Sequence, residues 1–155
     1  RYNTTVHAFE PFLDAFVCLL YNTRSSNVHA INLPVGNGER VKFVYECHGQ
    51  NYGMRRMVVS DDADAIPTYR IDDLHLPECK LIKVDVEGFE IPALLGASET
   101  IARCRPFLYV EMYKDGLANC GFTPEQLEQT IRGMGYTLEM WGEPPRWDWF
   151  CSPIQ

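Results

Sequence analysis

Acidic residues stand where an α/β protein would bind a ligand. In the run Leu81-Ile82-Lys83-Val84-Asp85-Val86-Glu87-Gly88, charged and apolar side chains alternate. An extended chain there puts Lys83, Asp85 and Glu87 on one face and Ile82, Val84 and Val86 on the other. A strand central in a parallel sheet normally carries apolar residues on both faces, so three charges need a reason. Same-face neighbours lie roughly 6.5 to 7 Å apart. Asp85 and Glu87 therefore climb towards the carboxyl end, where open α/β sheets bind ligands, and Gly88 lets the chain turn close to whatever is bound. Glu111, ending the following strand, is expected beside them. Carboxylates so placed can face a bound ligand. The plainer alternative is a structural Lys83–Asp85 ion pair with Glu87 solvated. A magnesium ion at Asp85 and Glu87 is chemically open, but no metal is expected.

Glu10 closes the segment Val6 to Phe9, immediately ahead of Pro11. In nucleotide-binding α/β folds an acid at that place accepts both ribose hydroxyls. Alternatively, Glu10 is a first-turn helix carboxylate favoured by the helix dipole.

These residues need elements to hold them. Val6-His7-Ala8-Phe9 and Val28-His29-Ala30-Ile31 are near copies, and Phe12, Leu13, Phe16, Val17 and Leu20 recur between them at helical spacing. The pattern is strand, helix, strand, with the two strands parallel neighbours. Val41, Phe43 and Tyr45 alternate ahead of a glycine-rich turn and Met57-Val58-Val59, which predicts a hairpin inserted at about 39–60. Leu81 to Glu87 is the next strand. A helix with Pro92 in its first turn follows, its inner face marked by Leu94, Leu95, Ser98 and Ile101. Phe107 to Met112 is another strand. Thr123, Pro124 and Gln126 give the clearest helix start, as N-cap, first helical residue and capping-box partner. Tyr136 to Trp141 and Trp147 to Cys151 read as a closing pair of strands around Pro144-Pro145.

The 155 residues, 46% hydrophobic and 23% charged, suit one ordinary soluble α/β domain over 1–155. With 21 acidic residues against 14 basic ones the net charge is −7. That argues against a nucleic-acid backbone or an anionic membrane as partner and for small molecules or protein. The longest apolar stretch, Ala15 to Tyr21, falls far short of the roughly 18 to 20 residues of a membrane span. Six cysteines without a C-x-x-C pair exclude a zinc knuckle or a thioredoxin-type motif. Cys18 reads as a small buried hydrophobe. Reduced thiols and a cytoplasmic setting are expected.

Several segments together are more specific than any one of them: Ala8-Phe9-Glu10-Pro11, Ile71-Asp72-Asp73-Leu74, Lys83-Val84-Asp85-Val86-Glu87-Gly88-Phe89-Glu90, Leu95-Gly96-Ala97, and Arg105-Pro106 leading to Glu111. In this order and spacing the chain resembles the FkbM family of S-adenosylmethionine-dependent methyltransferases, over nearly its whole length. The resemblance implies a class I methyltransferase fold: a Rossmann-like, mostly parallel sheet of strand order 3-2-1-4-5-7-6 with flanking helices. It implies methyl transfer to a hydroxyl of a small molecule or sugar, with S-adenosylmethionine as cofactor. Glu10 would contact the cofactor ribose. Asp85 and Glu87 would lie on strand four, lining the methyl-transfer crevice. On this reading the loop Pro34-Val35-Gly36 borders the adenine, and Asp85, Glu87 or Glu111 faces the reacting centre.

Family members carry a first strand, a glycine-rich loop and a helix ahead of the Phe-Glu-Pro segment, a unit of the order of 30 residues. Arg1 leaves no room for them, so the sheet is expected to lack its first strand and helix. Strands two and four would then close on each other, or a second chain would pair with their edges as in a homodimer, or the natural protein is longer. The last is the expectation. A different class of function is a non-catalytic remnant of the fold acting as a dimerising module. A nicotinamide-dependent oxidoreductase is disfavoured, because no G-x-G-x-x-G occurs.

Other candidates are weaker. His7 and His29, at equivalent places on parallel strands, read as structural. His48 beside Cys47, and His75, have no recognisable ligand partner. Asp72 reads equally as a turn or helix cap and as a functional acid. Trp141, Trp147, Trp149 and Phe150 either wall a pocket or cover the core edge.

Overall fold

The computed structural model describes the backbone of residues 4–48, 51–143 and 146–154 and the side chains of 4–44, 55–142 and 147–154. The chain divides into two compact units, residues 1–35 and 36–155.

In the first unit β1 (Val6–Phe9) and β2 (Val28–Ile31) are joined through α1 (Leu13–Thr23). The two copied tetrapeptides pair in parallel, residue for residue, with His7 opposite His29. Their rings stack at 5.3 Å. The Asn32 side-chain amide donates to the carbonyls of Glu10 and Pro11 at 2.8 and 3.0 Å, tying the strand ends together. The inner face expected of α1 is not buried. Leu13, Val17 and Leu20 are exposed, and Cys18, expected inside, is exposed as well. A two-stranded ribbon about 5 Å between strands cannot cover a helix about 10 Å across. Only Ala15, Phe16, Leu19 and Thr23 become half-buried.

The second unit begins with an antiparallel sheet of order β4-β3-β5, made of β3 (Arg40–His48), β4 (Asn51–Val59) and β5 (Ile66–Pro67). Beyond a 3-10 turn at Ile71–Leu74 the chain alternates strand and helix. The elements are β6 (Leu81–Val84), α2 (Glu90–Leu95), α3 (Ser98–Cys104), β7 (Phe107–Tyr113), α4 (Lys114–Asn119), α5 (Pro124–Gly133), β8 (Tyr136–Glu143) and β9 (Arg146–Pro153). The capping box at Thr123 and Gln126 forms as predicted, with Pro124 inside it. The single helix expected after Gly88 is two, α2 and α3, broken at Gly96. A β-carbon there would meet the Gly36 carbonyl oxygen at 1.9 Å. The short helix α4 has no counterpart in the sequence reading.

The second sheet runs β6-β7-β9-β8, the order expected for strands four, five, seven and six, while the pair β2-β1 has the order expected for three and two. The expectation of a mostly parallel sheet is corrected. Parallel pairing joins β1 to β2 and β6 to β7; β3–β4, β3–β5, β7–β9 and β8–β9 are antiparallel. Strands β8 and β9 are joined by too short a connection for a crossover, so they must run antiparallel, and β9 then lies antiparallel to β7.

Burial alternates along β7. Leu108, Val110 and Met112 are buried, with Trp149 and Cys151 beside them on β9 and Leu94, Ile101, Leu127 and Ile131 supplied by the helices. The opposite face carries Leu81, Phe107, Tyr109, Glu111, Asp148, Phe150 and Trp141. There Phe107 stacks on Phe150 at 5.5 Å and Phe150 on Trp141 at 5.4 Å. Arg105 braces the far end by donating to the carbonyls of Met134, Gly135 and Ile154.

Candidate functional site

Strand β6 stops at Val84 rather than at Glu87. Asp85 and Glu87 are therefore not successive residues on one strand face. The chain leaves the sheet in a tight loop in which Glu87 has φ +54° and Gly88 φ +104°. The left-handed region is costly for a glutamate, and two features hold it there. Glu90, the first residue of α2, is fully buried, and its Oε1 accepts the backbone N–H of Gly88 at 3.0 Å and of Val86 at 3.3 Å. Gly88 in turn lies against Gly116 of α4, where a β-carbon would stand 2.1 Å from the Gly116 carbonyl oxygen.

This loop and the end of β7 bring three carboxylates together. One oxygen from each of Asp85, Glu87 and Glu111 lies within 4.8 Å of the others. Asp85 is exposed and the other two half-buried. The ion pair weighed from sequence is also present: Lys83 Nζ donates to Asp85 Oδ2 at 2.5 Å, with both side chains largely in solvent. Thus Asp85 serves the pair and the cluster at once. Asp148 faces Glu111 across the β7–β9 pairing and accepts the Tyr109 hydroxyl at 2.5 Å. That bond, with some desolvation, pushes the Tyr109 pKa up.

Ionised carboxylates are acceptors only. Three at this spacing form a concentrated negative field that favours a positively charged ligand and gives a neighbouring hydroxyl a proton acceptor. The oxygens are also close enough to share a hard cation.

Burial pushes the Glu90 carboxyl above its ordinary value. The N–H bonds from Gly88 and Val86 oppose the shift, and the charge of Asp85 adds to it. Glu90 stands in the sequence motif without an assigned role there, and no pattern singles out Gly116 or Asp148. The signal for Glu90 is a fourth charge placed on the first turn of an apolar helix.

Glu10 stands at the carboxyl end of β1, half-buried, and its Oε1 accepts the Phe12 N–H at 2.9 Å at the start of α1. Pro34 and Val35 are buried at the end of the first unit. Gly36 opens the second unit and is packed tightly: it donates to the Tyr69 carbonyl, and a β-carbon would meet Thr68 Oγ1 at 2.6 Å. The convergence of site residues concerns Asp85, Glu87 and Glu111, all of the second unit.

Asp72 is a cap. It is buried, and its carboxylate accepts the N–H groups of Glu99 and Thr100 in the first turn of α3. Trp149 belongs to the core edge, while Trp141 is exposed on the aromatic stack. His48 and Cys47 have side chains outside the described residues. The cysteines described are all free thiols, and no described helix is long and apolar enough to cross a membrane.

Residues 2–138 match the family model of the methyltransferase FkbM domain. The crystal structure of methyltransferase FkbM from Methylobacillus flagellatus KT is similar in fold, with a TM-score of 0.57 at 21% sequence identity. The match covers 94% of this chain and 36% of that one, so the chain spans about a third of the length of this relative. No curated protein matches the chain significantly.

Proposed function

The chain belongs to the FkbM methyltransferase family, and on that premise we propose that it takes part in S-adenosylmethionine-dependent methyl transfer to a hydroxyl of a small molecule or sugar. The observation that carries this reading is the convergence of Asp85, Glu87 and Glu111 within 4.8 Å. When bound, the cofactor supplies an electrophilic methyl group on a positively charged sulfonium.

The chain's own residues supply three things. The carboxylate cluster provides a negative field suited to a cation. One of its members accepts the hydroxyl proton as the substrate oxygen forms its bond to carbon and the carbon–sulfur bond breaks. The loop built on Gly88 and Glu90 orients the cluster before substrate arrives, which is where much of such a rate gain originates. Within the first unit, Glu10 is the proposed acceptor for the ribose hydroxyls. A carboxylate offers about four acceptor positions, so the bond from Phe12 leaves capacity and fixes its orientation. Pro34, Val35 and Gly36 are proposed to border the adenine. Isothermal titration of the full-length natural protein with S-adenosylhomocysteine checks the reading, and absence of binding sinks it.

One observation favours a second reading, a non-catalytic methyltransferase fold that dimerises. No residue of α1 is buried, and Leu13, Val17, Leu20 and Tyr21 expose apolar surface along it. Sedimentation equilibrium separates the two: a dimer broken by Leu20→Glu supports this reading, and a monomer at all concentrations removes it.

A further inference from the structure

The carboxylate cluster depends on a residue that touches none of its reacting partners. We propose that Glu90 is the positioning residue of the site: it clamps the loop between β6 and α2 so that Glu87 is held in the left-handed conformation that turns its carboxylate towards Asp85 and Glu111. The inference rests on the methyl-transfer reading only for its purpose, since the geometry stands without it.

Glu90 is fully buried at the first position of α2. One oxygen, Oε1, takes the N–H groups of Val86 and Gly88, the two residues that flank Glu87. Both neighbours of Glu87 are thus tied to a single atom anchored in the core. Between them the Glu87 backbone has little freedom to leave φ +54°, where an unrestrained glutamate would not stay. The second oxygen, Oε2, is buried and has no hydrogen-bond partner among the described residues. The reach of a glutamate is what the arrangement requires, because the clamp spans from the helix start back to Val86 and Gly88 in the loop after β6.

The experiment compares Glu90→Gln, Glu90→Ala and Glu90→Asp by amide hydrogen exchange and by the titration of the Glu87 side-chain carboxyl carbon in NMR. Glutamine keeps an acceptor at the same reach, so exchange at Val86 and Gly88 and the Glu87 titration stay as in the wild type. Alanine removes the acceptor, and exchange at those two amides rises by about tenfold or more. The Glu87 carboxyl-carbon signal and its pH response then differ from the wild type, because the carboxylate has left its place beside Asp85 and Glu111. Aspartate, one methylene short, gives the same two changes in a chain that retains its buried acid, which covers the case in which the alanine variant does not fold. A purely structural role would shift the unfolding midpoint without altering the Glu87 titration. An unchanged Glu87 titration in the aspartate variant overturns the proposal. Neither readout requires cofactor, so failure to bind S-adenosylhomocysteine would sink the functional reading and leave this inference standing.

Discussion

Gly88 and Gly116 meet backbone to backbone, so closely that a β-carbon on Gly88 would lie 2.1 Å from the Gly116 carbonyl oxygen. The loop after β6 and the helix α4 after β7 come this close because neither glycine carries a side chain. Glu87 sits next to this contact, and Glu111 lies on β7, the parallel neighbour of β6.

The two positions are not equivalent. Gly88 has φ +104°, so Gly88→Ala adds backbone strain to a clash with rigid main chain and is expected to cost about 3 kcal/mol or more. A β-carbon on Gly116 would meet the Tyr113 ring at 2.7 Å and the Glu87 carbonyl carbon at 3.2 Å. The ring can move aside, and the expected cost of Gly116→Ala is about 1 to 2 kcal/mol. Urea unfolding of both variants checks the ranking. If Gly116→Ala proves the more damaging, the close approach is not limited by main chain.

Neutralising the cluster should trade function against stability. Three like charges within 4.8 Å repel one another by at most about 1 kcal/mol per pair in a solvent-screened setting, and the Lys83–Asp85 pair offsets part of this. Glu87→Gln is therefore expected to raise the unfolding midpoint slightly while lowering methyl transfer by roughly 10²-fold. Thermal unfolding and a labelled-methyl assay on the same preparation measure both. A variant that loses stability and keeps activity would place the base elsewhere.

Much of this arrangement is legible in the residue pattern, and the failures have physical causes. The β1–β2 pairing follows from two copied tetrapeptides flanking a helix, and the α5 cap from Thr123, Pro124 and Gln126, because both signals are local. Alternation predicts a strand through Glu87, but it cannot reveal that a buried acid three residues on turns the chain out of the sheet at Val84. Apolar spacing predicts an inner face on α1, but it says which side of a helix is oily, not how wide a surface is present to cover it. What the residue pattern does not encode is the close approach of Gly88 to Gly116, between the loop after β6 and helix α4, which are distant in sequence.

Glu90 gives the fold a pH dependence of definite sign. Burial raises its carboxyl above the ordinary 4.5, so the folded chain holds the proton more tightly than the unfolded one. The contribution to stability is complete below 4.5 and is lost as pH rises through the elevated folded value. Glu90→Gln has no proton to lose. The stability of the wild type relative to this variant should therefore fall as pH increases from 4.5, as measured by denaturant midpoints at a series of pH values. A relative stability that rises with pH would mean that the two N–H bonds outweigh burial.

Asp72 supplies the last case, a cap delivered from another element. Helix α3 begins at Ser98 without a capping side chain at Ala97, so its first N–H groups need acceptors from elsewhere. Asp72 provides them: Oδ1 accepts from Thr100 at 2.8 Å and Oδ2 from Glu99 at 3.1 Å. Arg70 Nη2 lies 3.4 Å from the same Oδ2, and the negative charge sits at the favourable end of the helix dipole. Asp72→Ala leaves two N–H groups without their acceptor in a buried setting and is expected to cost about 2 to 3 kcal/mol. Asp72→Asn keeps one acceptor oxygen but gives up the charge, at about half that cost. Glu99→Ala removes only an exposed contact to Arg70 at 3.6 Å and should be nearly silent. Denaturant unfolding ranks the three, and exchange at the Thr100 amide locates the loss. Equal effects of Asp72→Ala and Glu99→Ala would show that Asp72 contributes surface charge rather than a cap.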